Sequence, residues 1–216
     1  MCFSATASFT ASATLIVLGT LAVRKAQTRA ELPFAFIPVL FGIQQGLEGA
    51  LWVGLHDHMS TLSIILTYAY SFFSHVLWPI YVPLASLAIE PAGLRRKVIA
   101  IIAIIGIALG MYLLSLLLFL PITARVVEHH ISYDSPYFYA ELTMALYLLA
   151  TSVSLMVSSH ARVAVFGIIV FLSSAITYIF YNFWFISVWC FFSALMSAIV
   201  LWQLMANRAD EAYSRN

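Results

Sequence analysis

Residues 98–120 read VIAIIAIIGIALGMYLLSLLLFL, an apolar run without a single charged side chain. A helix of this length, rising about 1.5 Å per residue, can cross a hydrocarbon core of about 30 Å. Six other stretches have the same character, and the seven runs are 4–23, 34–55, 62–88, 98–120, 137–158, 163–180 and 184–206. We therefore predict an all-α fold, an integral membrane bundle of seven transmembrane helices.

The composition of the 216 residues excludes several classes of protein. Apolar residues make up 63% of the chain, charged residues 9%, and the mean hydropathy is +0.98, which excludes a water-soluble fold. The net charge of +1 leaves no basic surplus for a nucleic-acid backbone. Cys2 and Cys190 have no metal-knuckle or redox spacing. The predicted partner is the lipid bilayer, and no nucleic acid is expected.

The last two runs need a separate argument. From Val163 to Asn207 there is no Lys, Arg, Asp, Glu or His. At 1.5 Å per residue this stretch is about twice too long for one crossing, so we predict a turn near residues 181–183. No internal repeat is visible. The chain therefore divides into one transmembrane domain over residues 1–207 and a short cytoplasmic tail over residues 208–216.

The positions of the basic residues predict the orientation. Under a seven-crossing topology, nine of the ten Lys and Arg residues lie on one side of the membrane, and only Arg125 lies on the other. Cytoplasmic loops are enriched in Lys and Arg, so the side with the nine residues is predicted to be cytoplasmic, with the N-terminus outside and the C-terminus inside. The cytoplasmic set is Arg24, Lys25, Arg29, Arg95, Arg96, Lys97, Arg162, Arg208 and Arg215.

Three ionisable side chains fall within the predicted spanning helices. They are Glu48, His75 and Glu141. An acidic residue in this position costs about 2.5–3.5 kcal/mol on insertion scales unless it is neutralised, paired or hydrated, so each is expected to face the bundle interior. Carboxylate and imidazole groups suit a divalent transition metal such as zinc, iron or copper. The alternatives are a proton relay, a ligand pocket without metal, and purely structural pairing.

Two polar stripes support a shared pocket that opens outward. Residues four apart lie on one helix face, so Gln44, Glu48, Trp52 and His56 form a stripe from mid-membrane to the outer surface. Thr67, Ser71, His75 and Trp78 form a similar stripe on the third run. Pro79 follows directly, removes a backbone amide and predicts a kink there. A buried hydrogen-bond ladder without a ligand is the alternative interpretation. Further predicted walls of the pocket are Tyr137, Tyr178 and Asn182.

The longest connection, residues 121–136, is predicted to lie outside. It is long enough to fold over the mouth of the bundle as a lid. A plain connection between two helices is the alternative interpretation of the same length.

The opening Met1-Cys2-Phe3-Ser4-Ala5 and the later segment Gln44-Gln45-Gly46-Leu47-Glu48-Gly49 carry a family resemblance. The chain resembles an uncharacterised family of bacterial multi-pass membrane proteins whose members begin Met-Cys-Phe-Ser-Ala. This resemblance implies a location in the bacterial inner membrane and implies no activity.

A second, partial resemblance concerns Ser71 and His75. Their spacing is similar to the Ser-xxx-His element of the alkaline ceramidase-type hydrolases, a family of seven-helix zinc amidases. That family also has an intramembrane Asp and a pair of histidines on its last helix, which the seventh run here lacks. Seven helices also resemble microbial rhodopsins, but Lys25 and Lys97 are both predicted to be cytoplasmic, so no retinal is expected.

These patterns lead to two functional hypotheses. The first is a multi-pass protein with an outward-opening pocket that binds a metal ion or a small apolar or lipid ligand, including a metal-dependent membrane enzyme. The second is a proton- or cation-coupled transporter or sensor in which Glu48, His75 and Glu141 titrate. The sequence leaves open whether the protein is an enzyme, and it identifies neither a substrate nor an oligomeric state.

Overall fold

The computed structural model describes residues 4–57, 60–127, 130–135, 141–181, 185–197, 199–200 and 202. Most of these residues are helical. The helices are α1 (Ala5–Lys25), α2 (Leu32–His56), α3 (Ser60–Ile89), α4 (Leu94–Phe119), α5 (Glu141–Met156), α6 (Ala161–Tyr181) and α7 (Phe185–Met196). Two strands, β1 (Thr123–Val127) and β2 (His130–Asp134), lie between α4 and α5.

Within the described residues, five helices are long and apolar enough to cross a membrane, namely α1 to α4 and α6. Helices α5 and α7 are also apolar but shorter, and they fall in the predicted runs 137–158 and 184–206. The prediction of a mostly helical protein with several helices apolar enough to span a membrane is confirmed. The number of seven crossings and the orientation of the termini stay predictions.

Helices α1 and α2 pack closely because small residues face each other. A Cβ at Gly42 would meet the side chain of Ile16 at 2.9 Å, and a Cβ at Gly46 would meet the Ser12 hydroxyl at 3.1 Å. The N-terminus of α1 is capped by Ser4, whose hydroxyl accepts a hydrogen bond from the amide of Ala7 at 3.2 Å. Small residues therefore allow these two helices to approach closely.

Helix α3 is irregular where its sequence predicts a kink. Residues Phe72–Leu77 wind as a π-helical turn, directly before Pro79. Proline has no amide to donate to the preceding turn, and π-helical turns absorb such a mismatch within a continuous helix. Gly106 of α4 lies against the carbonyl group of Pro79, so α4 packs tightly on the distorted region. The distortion places Ser74 and His75 on the buried side of α3.

The connection between α4 and α5 contains an antiparallel β-hairpin, in which Thr123 pairs with Asp134 and Val127 pairs with His130. Residues 130–133 of β2 are buried, whereas most of β1 is exposed. The ring of Tyr133 stacks on Tyr70 of α3, with centroids 4.6 Å apart. The hairpin therefore rests on the helices. The sequence predicted either a lid or a plain connection for residues 121–136, and its strands were not anticipated.

Candidate functional site

Glu48 lies in the interior of the bundle, on the buried face of α2, and none of its surface is exposed. The hydroxyl of Ser187, on α7, donates a hydrogen bond of 2.5 Å to its Oε1 atom. A carboxylate in this position is costly unless its surroundings compensate for the loss of water. The contact with Ser187 joins the second helix to the last helix at the level of this carboxylate.

His75 is also buried, and the hairpin contributes to its surroundings. Its Nδ1 lies 2.8 Å from the Ser74 hydroxyl, and its Nε2 lies 2.8 Å from the hydroxyl of Ser135, just after β2. The Tyr147 hydroxyl, on α5, donates to the carbonyl oxygen of Ser74 at 2.5 Å. One imidazole ring is thus connected to the hairpin on one side and, through Ser74, to α5 on the other.

A third set of contacts centres on Gln44, one turn before Glu48. The indole N–H of Trp78 donates to Gln44 Oε1 at 2.7 Å, and Phe41 stacks on Trp78 with centroids 3.9 Å apart. The Cys190 thiol, on α7, interacts with the side chains of Gln44, Glu48 and Tyr70. These contacts link α2, α3 and α7 around one buried region.

We call this group of buried side chains the central polar cluster. It is built by four helices and the end of the hairpin, so residues distant in sequence meet in one place. Its members are Gln44, Glu48, Tyr70, Ser74, His75, Trp78, Ser135, Tyr147, Ser187 and Cys190.

A cavity of about 30 Å³ adjoins the central polar cluster. Trp78, Tyr147 and Cys190 belong to both, and the rest of the wall is mostly aromatic and aliphatic. A volume of this size holds about two water molecules or a small group of a ligand. The other lining residues are Ile37, Phe41, Val82, Thr151, Leu155, Phe166, Val170, Trp189 and Ser193.

Several buried polar atoms on α2 and α3 form no hydrogen bond with the part of the chain that the structure describes. Both the oxygen and the nitrogen of the Gln45 amide are in this state, as are the Trp52 indole nitrogen and the Ser71 hydroxyl. Gln45, Glu48 and Trp52 lie three and four residues apart, so they share one face of α2. Buried polar groups are nearly always paired, and these atoms therefore mark a place where a ligand or ordered water completes the structure.

The predicted site residues fall into two groups. Glu48 and His75 are buried in the same cluster, together with Gln44, while Ser71 is buried on α3 one turn before His75. Trp52 is partly buried, and His56 is exposed at the end of α2. The predicted walls Tyr137 and Asn182 lie outside the described residues.

Glu141 lies apart from Glu48 and His75. It is the first residue of α5 and is exposed, so it does not carry the burial cost that motivated its assignment. Tyr178, another predicted wall, is 52% exposed and lines a separate cleft with Glu141.

The metal hypothesis gains no support from this arrangement. Among the residues with described positions, no three His, Cys, Asp or Glu side chains are grouped so as to hold a metal ion. Glu48, His75 and Glu141 are all among these residues, so they do not form the predicted joint metal site.

Sequence reasoning missed part of the cluster. It did not single out Tyr70, Ser135, Tyr147, Ser187 or the site role of Cys190. Each lies in an apolar run or a connection where a hydroxyl or thiol is unremarkable. The one available signal was the number of tyrosines, 11 in the chain, because a buried Tyr hydroxyl usually requires a partner.

A second buried carboxylate lies at the opposite end of the bundle. Glu90, directly after α3, is 3% exposed. Its Oε2 accepts a hydrogen bond from the Ser158 hydroxyl at 2.8 Å, and the Ser159 amide donates to Oε1 at 2.9 Å. Arg96 donates to the backbone carbonyl of Glu90 at 2.6 Å. This set of contacts ties the α3–α4 turn to the α5–α6 turn.

Comparison with known proteins gives one match. Residues 1–215 match the family described as "Family of unknown function (DUF6629)". No curated protein and no solved structure matches the chain. Because the match covers nearly the whole sequence, the chain belongs to the DUF6629 family.

Proposed function

We propose that the chain is a seven-crossing protein of the bacterial inner membrane, with its N-terminus outside, that binds a small ligand in the central polar cluster. The ligand enters from the outer side, beneath the hairpin. The observation that carries this proposal is the buried Gln45 amide, whose two polar atoms lack a hydrogen-bond partner among the described residues on the face that also bears Glu48.

The chemistry of the surroundings supports a ligand with both polar and apolar parts. The amide of Gln45 offers one acceptor and two donor hydrogens, and the Trp52 indole offers a further donor. The cavity beside the central polar cluster is lined by Phe41, Trp78 and other, mostly apolar, side chains. Sites for small molecules commonly combine such apolar walls with a few polar groups that fix orientation.

The hairpin supports entry from the outer side. Ser135 contacts the imidazole of His75, and Tyr133 covers Tyr70. These two contacts close the cluster at the hairpin end of the bundle. They involve one hydrogen bond and one ring stack, and interactions of this size are broken and re-formed at modest cost, about 1 kcal/mol each.

Access to Cys190 tests this proposal, because its thiol lies in both the cluster and the cavity wall. In a Cys2→Ser background, Cys190 is the only thiol, and its rate of alkylation by N-methylmaleimide can be followed by mass spectrometry. We expect Ser135→Ala to increase this rate several-fold because it releases the hairpin from His75. Thr123→Ala, at the exposed start of β1, is the matched control and should leave the rate unchanged.

Two outcomes would contradict the proposal. One is an alkylation rate that Ser135→Ala leaves at the parent value. The other is labelling of Cys190 only under conditions that unfold the protein, monitored by the loss of helical circular dichroism. Either result would make the cluster a sealed hydrogen-bond network that no ligand enters from the hairpin side.

A second candidate function is proton-coupled transport or sensing through Glu48 and His75. The observation that favours it is the hydrogen-bonded series from Ser135 through His75 to Ser74. Intramembrane carboxylates and imidazoles are frequent elements of proton relays. In liposomes with a pH-sensitive dye inside, this function predicts proton uptake that Glu48→Gln abolishes, and equal uptake by the parent and the variant would eliminate it.

A further inference from the structure

The cleft that contains Glu141 lies between α5 and α6 and is separate from the central polar cluster. It encloses about 460 Å³. On α5 it is lined by Glu141, Met144, Ala145 and Leu148, which lie three, four and seven residues apart. That spacing places them on one face of the helix. The wall on this side is therefore a single strip about 10 Å long, from the first residue of α5 inward.

The opposite wall has the same construction. On α6 the cleft is lined by Phe171, Ser174, Ala175 and Tyr178, with the same spacing, and Phe185 of α7 also lines it. Helix α6 ends three residues after Tyr178, whereas α5 begins with Glu141. Glu141 and Tyr178 therefore lie at one end of the cleft. The remaining lining is apolar except for Ser174, whose hydroxyl donates to the carbonyl oxygen of Phe171 at 2.6 Å.

The cleft opens sideways, away from the bundle interior. Ala145 and Ala175 are exposed, although both line the cleft. Their small side chains leave the space between α5 and α6 unfilled. In a protein that spans a membrane, such a lateral opening faces lipid and not water, so its natural occupant is a hydrocarbon chain.

The carboxylate at the end of the cleft indicates which chemical group the polar end of the occupant carries. Glu141 forms no ion pair with any residue whose position is described. A carboxylate at the polar end of a mostly apolar cleft is complementary to an ammonium group. Charge-assisted hydrogen bonds between such groups are about twice as strong as neutral ones. The tyrosine ring of Tyr178 adds an aromatic surface beside the same position.

We propose that this cleft binds a membrane lipid whose head group carries an ammonium group. One acyl chain lies in the cleft between α5 and α6, and the ammonium group contacts the carboxylate of Glu141. This site is independent of the ligand proposed for the central polar cluster, because the two share no residue.

Native mass spectrometry of the full chain in detergent tests the proposal. Delipidated protein is titrated with phosphatidylethanolamine and, separately, with phosphatidylglycerol carrying the same acyl chains. We expect the parent to prefer phosphatidylethanolamine and Glu141→Gln to reduce that preference about 10-fold, the effect of losing one hydrogen bond to a charged group. Glu141→Asp should retain part of the preference. An unchanged preference in Glu141→Gln would overturn the proposal.

A second pair of variants tests whether the acyl chain occupies the cleft. Ala175→Phe fills the cleft and should lower the binding of both lipids, whatever the head group. Ala108→Phe, at an exposed position of α4, adds the same ring elsewhere on the surface and should leave both affinities at the parent value. Equal effects of the two variants would overturn the proposal. Thermal unfolding of each variant establishes that it is folded.

A soluble competitor distinguishes a lipid from a free amine. Glycerophosphoethanolamine has the ammonium head group without acyl chains, and we expect it not to displace bound phosphatidylethanolamine at equal concentration. Displacement at equal concentration would assign the site to a soluble amine and overturn the lipid proposal.

Discussion

Glu48 and Glu90 are both buried carboxylates in an apolar bundle, but their surroundings differ. Glu90 lies in a turn, where the Ser158 hydroxyl and the Ser159 amide satisfy both of its oxygens. Glu48 lies in the middle of α2, in a cluster whose other members line a small cavity, and on the same face as a Gln45 amide that no described residue satisfies. The first arrangement is complete and ties two turns together. The second is a polar region with a neighbouring cavity and with polar atoms left for a ligand.

This difference shows why burial alone does not identify a functional carboxylate. Both carboxylates lose hydration when they are buried, and at both positions hydrogen-bond donors offset part of this cost. The two regions differ in whether the neighbouring polar atoms form hydrogen bonds. At Glu90 the nearby donors and acceptors are used, whereas near Glu48 the polar atoms of Gln45 and Trp52 remain available to a ligand.

The largest expected effect comes from the matched pair Glu90→Gln and Glu48→Gln. The first should lower the free energy of unfolding by about 2 kcal/mol, because it replaces an acceptor of several hydrogen bonds by an amide whose nitrogen cannot accept. The second should change stability by less than about 1 kcal/mol, because a neutral amide relieves the cost of burying a charge. Thermal and denaturant unfolding in detergent measures both, and equal losses would remove the distinction between the two carboxylates.

A change at Gln45 sharpens the same comparison. In ligand-free protein, Gln45→Leu should raise the free energy of unfolding by about 1 kcal/mol, because an apolar group of similar size replaces a buried amide without partners. The same variant should lose ligand binding, which is the usual relation between stability and a functional site. The unfolding transition in detergent checks the first effect. A strongly destabilised variant would indicate that protein atoms already satisfy this amide.

The hairpin contact gives a smaller effect. Ser135→Ala should destabilise the protein by about 1 kcal/mol, the contribution of one neutral hydrogen bond. Hydrogen exchange should then increase in residues 130–135 and remain at the parent rate in the α3–α4 turn near Glu90. A uniform increase over the whole bundle would contradict a hairpin that opens as a separate unit.

The smallest expected effect is that of metal removal. Since the residues that the structure describes contain no grouped set of metal-binding side chains, EDTA should leave the unfolding temperature unchanged. Elemental analysis of the purified protein should find less than one equivalent of zinc, iron or copper. A stoichiometric metal, or a clear loss of stability with EDTA, would restore the metal hypothesis and contradict the present interpretation.

The sequence predicted the helices well because lipid restricts what can cross it. A run such as 98–120 has no stable alternative to a helix, and Pro79 similarly determined where α3 would deviate from regular geometry. The hairpin was not predicted. Its five-residue strands are short, and strand preference depends strongly on what a strand packs against. The contacts of β2 with the helices come from the tertiary structure, which the local sequence does not specify.

The candidate site could be predicted only in part, for a related reason. Glu48 and His75 stand out because ionisable groups are rare in membrane-spanning helices. Glu141 has the same chemistry but is exposed, because its burial depends on how α5 packs, which the local sequence does not specify. Ser135, Ser187 and Cys190 could not be recognised, because the helix that each residue approaches is set by packing between distant parts of the chain.

The most direct test of the account is an experimental density map of the central polar cluster at a resolution that resolves ordered water. We predict continuous non-protein density that contacts the Gln45 amide and extends toward Glu48, and we predict that Glu48→Gln weakens it. Density for isolated waters alone would contradict this result. So would an empty cluster in which Gln45 and Trp52 donate their hydrogen bonds directly to protein atoms.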